Sequence, residues 1–174
     1  MNSPINLGSY PQPSFFQKEV SLPIAHYYSV MRQRLNEVYG DRIRFSLTSV
    51  PSCVIVSVVE YALSFTAALS ARLLLTVCHA PLMTASLRED AGSDLLLAFS
   101  AVPPQDGAAR AAEVYGELLA GIAARGGFTC DMEGGDTVTI TVRLRRSATA
   151  PAELREALAA AGQDPFADAL AYPL

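Results

Sequence analysis

The chain has no asparagine after Asn36 and no Gly-x-Gly anywhere in its 174 residues. It also lacks a Walker sequence, a Gly-x-Ser-x-Gly elbow and a paired-carboxylate signature, which leaves Ser57, Ser64 and Ser70 without the surroundings of a nucleophile. Cysteine is scarce. Cys53, Cys78 and Cys130 are odd in number, lack C-x-x-C spacing and sit in apolar runs, which excludes a disulfide framework and a metal site and suits reduced core thiols in the cytoplasm. Basic excess is missing too: thirteen Lys and Arg against seventeen Asp and Glu give a formal charge of -4, so no electrostatic footprint for nucleic acid exists. The tight cluster Arg143, Arg145 and Arg146 reads as a solvated strand end. Long uncharged runs are absent. Cys53 to Leu82 is apolar, but Glu60, Arg72 and His79 interrupt it, and the stretch Tyr61 to Ala71 falls well short of the ~20 residues of a membrane span. Met1 to Ser14 is polar and proline-bearing, with no basic region leading into an apolar one, so no secretion signal is expected.

What is present is enough apolar material, 51% of residues, for one sizeable core. The expected organisation is an N-terminal tail over 1–19, one domain over 20–146, and a C-terminal helix and tail over 147–174. Pro23 followed by Ile24, Tyr28, Met31, Leu35 and Val38 at three-to-four spacing predicts an amphipathic helix closed by Gly40. Arg42 to Leu47 alternates as a half-buried strand, and a turn at Ser49 to Ser52 leads to a second strand over Cys53 to Val58. From Val59 to about Cys78, Ala, Leu and Ser replace the β-branched residues and predict a long buried helix. Strands over Leu82 to Arg88 and Leu95 to Ser100 flank a polar connection, and a loop at Pro103 to Gly107 precedes a helix over Ala108 to Arg125 that Gly126-Gly127 stops. Phe128 to Met132 and Thr137 to Arg145 form a hairpin around Glu133-Gly-Gly-Asp136, the second strand holding its apolar residues on one face. Thr149 is placed to cap a last helix over Pro151 to Ala161, and Gln163 to Leu174 shows no clear period.

This order, helix, two strands, long helix, hairpin, loop, helix, hairpin, resembles the histidine-kinase-like ATPase superfamily from Val20 to Arg146. The matching stretches are Leu87-Arg-Glu-Asp-Ala-Gly-Ser-Asp-Leu-Leu-Leu97, similar to the hairpin before the first glycine box, and Ala123 to Val142, similar to the helix closing in Gly-Gly and its following hairpin. The resemblance implies an α/β (α+β) two-layer sandwich, with a mixed, mostly antiparallel sheet covered on one face by about three helices.

The nucleotide motifs of that family are missing. The magnesium-coordinating asparagine of the long helix falls at Arg72, and the acidic or amide residue one turn earlier falls at Ala68; a shifted register uses Tyr61 or Ser64, and no register supplies asparagine. Ala101 stands where an aspartate would accept the adenine amino group, and Pro103-Pro104 follow it without amide hydrogens. The second glycine box falls at Ala112-Glu-Val-Tyr115, so Ala112 and Val114 replace its residues and Glu113 would repel phosphate at a helix N-terminus. The lid is reduced to Pro103 through Arg110. No phosphoacceptor helix is recognisable: His26, beside Tyr27 and Tyr28, reads as a packed or rim histidine, and His79 as a cap on the long helix.

The resemblance therefore implies a catalytically inactive relative, without ATP, magnesium or another cofactor, acting in the cytoplasm through a protein partner in bacterial signalling or transcriptional control. The alternative is a protein for ATP or another small anion with a rewritten site, Arg72 being the possible anion contact. A third reading takes the chain as a piece of a divergent kinase. The apolar residues Leu154, Leu158, Phe166 and Leu170 suggest that the C-terminal region folds back over the emptied pocket.

Overall fold

The computed structural model describes residues 19–47, 50–51, 53–90, 94–104, 113–147 and 164–174. A short strand, β1 (Val20–Pro23), runs straight into helix α1 (Ile24–Tyr39). The first strand escaped the periodicity because four residues are too few to show alternation. In α1 the buried stripe is Ile24, Tyr27, Tyr28, Met31 and Leu35; Val38, expected on that stripe, is 48% exposed beyond the contact with the core. Gly40 ends the helix at φ 59°, where a side chain would be strained.

Next come β2 (Ile43–Leu47), β3 (Ile55–Val58) and α2 (Glu60–Arg72). Every residue from Tyr61 to Ala71 is buried, so α2 is the axis of the core. The long helix expected to reach Cys78 stays α-helical only to Arg72. Leu73–Val77 then form a π turn, with Cys78 N–H donating to the Leu73 carbonyl at 2.8 Å and Ala80 N–H to the Leu74 carbonyl at 3.1 Å. His79 follows at φ 56°, a left-handed conformation, and is exposed. The capping assigned to it belongs to Arg42, whose Nη2 donates to the carbonyls of Leu75 and Ala80, both at 3.1 Å.

The rest is β4 (Met83–Glu89), β5 (Leu95–Ala101), α3 (Gly116–Gly126), β6 (Thr129–Glu133), β7 (Val138–Leu144) and α4 (Pro165–Ala171). Helix α3 runs from Gly116, with Tyr115 as its N-cap; the expected start at Ala108 falls in residues 105–112, which lie outside the described residues, and Glu113 just after them is helical. The expected helix over Pro151 to Ala161, with Thr149, lies outside them as well. Gln163 to Leu174, which showed no period, contains α4. Its seven residues span two turns, too few for a period to register, yet Asp164-Pro165 is an N-cap followed by an N1 proline.

Five strands form one sheet in the order β2-β4-β5-β7-β6; β2 and β4 are parallel and the other pairs antiparallel. A separate pair joins β1 and β3 antiparallel. Leu87, Leu97, Phe99, Ile140 and Val142 occupy the covered face, each at most 1% exposed. Thr84, Arg88 and Arg143 alternate with them on the solvent face. Tyr28 fastens α1 to the sheet by donating to the carbonyls of Ser46 (2.8 Å) and Ala85 (2.9 Å), and burial pushes its phenol up to about 12 against the opposing influence of the Ser46 contact and Arg32. At the C-terminal end of α3, Gly127 takes φ 80°, and the Gly126 carbonyl accepts from Val59 N–H at 2.9 Å, tying α3 to the start of α2.

Candidate functional site

Of the residues singled out by register, Ala68 and Arg72 stand at the C-terminal end of α2. Ala68 and Arg72 lie one turn apart and so share a face; Ala68 is 2% exposed and Arg72 half-buried. Ala101 ends β5, buried at 5% exposure and paired with Met83 and Val138, and β5 packs against the π turn that follows Arg72. Its methyl group has no hydrogen-bonding capacity. Val114 is exposed just ahead of α3, and Ala112 lies outside the described residues. His26 is exposed on α1.

Over this end of α2 lies α4. Arg72 Nη1 donates to the carbonyl of Ala169 at 3.2 Å and closely to that of Tyr172. These carbonyls belong to the C-terminal end of α4, where the helix dipole favours a cation, and that of Ala169 also accepts from Tyr172 N–H at 3.4 Å. About two turns of α2 before Arg72, the Tyr172 ring meets Phe65 edge-on, centroids 5.6 Å apart at 83°. Tyr61, stacked on Phe65, donates its hydroxyl to Asp168 Oδ2 at 2.5 Å. Arg34 of α1 reaches Asp164 Oδ2 at 2.6 Å, with its guanidinium 5.4 Å above the Phe166 ring.

The same Asp164 accepts at Oδ1 from the amides of Phe166 (3.1 Å) and Ala167 (3.3 Å), capping α4 while its second oxygen holds Arg34. Phe166, Ala169 and Tyr172 are buried beneath this frame. Of the residues expected to fold back, Phe166 is buried in the core, Leu170 is 36% exposed on the outer side, and Leu154 and Leu158 lie outside the described residues.

Tyr39, at the end of α1, completes the surroundings. Burial raises its phenol above the ordinary value, while the nearby guanidiniums of Arg72 and Arg42 pull the other way. The site is thus a half-buried basic and aromatic end of the helical layer, already engaged by main-chain carbonyls and two carboxylates of the same chain. Among the described residues no group of His, Cys, Asp and Glu is arranged to hold a metal ion, and no helix is long and apolar enough to cross a membrane. The serines of α2 serve packing: Ser64 shares a 2.7 Å hydrogen bond with Tyr27, and Ser70 donates to the Thr66 carbonyl at 2.7 Å.

Sequence reasoning missed Arg34, Asp164 and Asp168 as members of this site. Arg34 lies between the apolar positions of α1, as a solvent-side residue would, and the signal that could have found its partner is the N-cap pair Asp164-Pro165.

The architecture defines the class of fold: it is that of the ATP-binding domains of histidine kinases. No family profile and no curated protein matches the chain. Among solved structures it is similar to the ATP-binding domain of PrrB from Mycobacterium tuberculosis, at 19% identity, TM-score 0.56, covering 75% of this chain and 99% of that one. The cytoplasmic segment of the histidine kinase QseC is similar at 11% identity and TM-score 0.52, over 75% of this chain and 80% of that one. The mycobacterial sensor histidine kinase MprB is similar at 11% identity and TM-score 0.52, over 76% and 99%.

Proposed function

We propose that this chain is a histidine-kinase-type domain that neither binds magnesium-ATP nor transfers phosphate, and that it acts in the bacterial cytoplasm as a protein-interaction module of signal transduction. The observation that carries this reading is the contact of Arg72 with the carbonyls of Ala169 and Tyr172. Arg72 stands at the register of the magnesium-binding asparagine, and a guanidinium held at that point repels the divalent cation a nucleotide would bring. The carbonyls that hold it belong to α4, which occupies the adjoining surface. Ala101, at the register of the adenine-binding aspartate, has no acceptor to offer, and its buried position leaves it to packing.

Thermal unfolding of the full chain with and without millimolar ATP or ADP and magnesium tests the reading, since a ligand that binds only the folded state raises the transition. No shift is expected. A magnesium-dependent rise would overturn the proposal and establish a rewritten nucleotide site.

A further inference from the structure

Helix α4 has seven residues, well below the length at which an isolated helix holds together in water, so its helicity depends on the surface it rests on. Among the described residues that surface is carried mainly by α2, with Arg34 of α1 at its edge. Arg34 and Arg72 grip the two ends of α4, Arg34 through the capping carboxylate and Arg72 through the terminal carbonyls. Between them Tyr61 takes the Asp168 carboxylate and Phe65 takes the Tyr172 ring. Each end of the short helix therefore meets a fixed guanidinium, and Phe166, Ala169 and Tyr172 turn one face inward while Ala167, Leu170 and Ala171 face solvent. The arrangement is that of an amphipathic helix laid in a groove, with charge-assisted hydrogen bonds setting its register and polarity.

We infer that the face of α1 and α2 carrying Arg34, Tyr61, Phe65 and Arg72 is a receptor for a short acidic helix, that Asp164 to Tyr172 is its resident ligand, and that a partner protein presenting the same chemistry exchanges with it. The partner segment has a carboxylate at its N-cap, a second carboxylate one turn later, and aromatic residues near both ends of the buried face. This deepens the proposed function by naming the contact surface, and it rests on that reading only in taking the exchanging partner to be a protein. A resident helix on the same chain acts at high effective concentration, so it holds the receptor closed to weak competitors and yields to a segment that binds more tightly.

The test uses the full chain and a labelled synthetic peptide of Gln163 to Leu174. In the full-length double variant Phe166→Ala/Tyr172→Ala the resident ligand is weakened and the receptor residues are untouched. The peptide should bind this variant with a micromolar Kd and the natural chain at least tenfold more weakly. Adding Arg72→Ala to the double variant should weaken binding at least tenfold, as should Asp168→Lys in the peptide. A folded double variant that binds no peptide, or binds it equally with Arg72→Ala, overturns the inference.

If the double variant does not fold, hydrogen exchange on the natural chain decides. Amides of Phe166 to Tyr172 exchanging well ahead of a protected α2 support an exchangeable ligand. Exchange of both at one common rate overturns it by making α4 part of a single cooperative core. Peptide binding together with a magnesium-ATP thermal shift would sink the proposed function and leave the receptor standing.

Discussion

The hydroxyl of Tyr61 donates to the carboxylate of Asp168 at 2.5 Å across 107 positions of sequence. Tyr61 is 1% exposed, so the phenol is a core group whose polar end is satisfied by a residue of the docked helix.

Tyr61→Phe keeps the ring and removes that donor. Hydrogen bonds to charged groups contribute about 1.5–3 kcal/mol, and the partly exposed carboxylate recovers some of this from water, so a loss of about 1–2 kcal/mol is expected. Urea denaturation of the two proteins measures it, and an unchanged midpoint would contradict the assignment.

Thr66 is fully buried in α2, and among the described residues its Oγ1 has no hydrogen-bond partner. Thr66→Val replaces the hydroxyl by a methyl group of nearly the same shape and removes an unpaid desolvation. A gain of about 1 kcal/mol is expected, read as a higher melting temperature.

A Cβ added at Gly126 would lie 2.4 Å from the Phe128 ring and 2.8 Å from the Ala62 Cβ. Ala62 belongs to the buried axis and cannot withdraw. Gly126→Ala should therefore cost about 1–3 kcal/mol through overpacking, against the usual preference of helices for alanine. Stability equal to the natural chain would show that α2 and α3 separate more easily than their packing indicates.

Alkaline pH should destabilise the fold. Burial raises Tyr28 from 10.0 to about 12, and burial followed by the Asp131 charge raises the Cys130 thiol from 9.0 to about 12. Both groups are held neutral in the folded state. Their contribution is complete below the unfolded pKa values, near 9 and 10, and is lost as pH rises toward about 12. Melting temperature should stay level with respect to these groups below pH 9 and fall above it, and Tyr28→Phe should flatten part of the fall. By the same burial, Cys78 and Cys130 should resist a thiol reagent at about pH 8 while exposed Cys53 reacts at once; three fast thiols would contradict the packing.

The sequence made the sheet and the main helices legible because their signals are periodic and long. In β7 the residues Val138, Ile140, Val142 and Leu144 alternate cleanly, and in α1 the buried stripe repeats every three to four residues. The π turn at Leu73–Val77 was hidden because an apolar run of good helix formers reads the same whether its turns hold one residue more or fewer. Arg72 was visible as a position from register alone. Its partners were not, since they are main-chain carbonyls, which carry no residue-type signal. Asp164 and Asp168 were obscured for a different reason: a seven-residue helix presents too little pattern for its charged residues to be told from a solvated tail.

The span of the α4 contacts has a kinetic consequence. Arg34 meets Asp164 across 130 positions and Arg72 meets Tyr172 across 100, among the least local pairings of the described residues. Closing such long loops carries an entropy cost that is recovered only after the sheet and α2 have formed a platform, so these bonds are expected to form after the folding barrier. Interactions absent from the transition state act on the unfolding rate. Helix α4 would then contribute little to the speed with which the protein forms, and much to how long each molecule stays folded once it has.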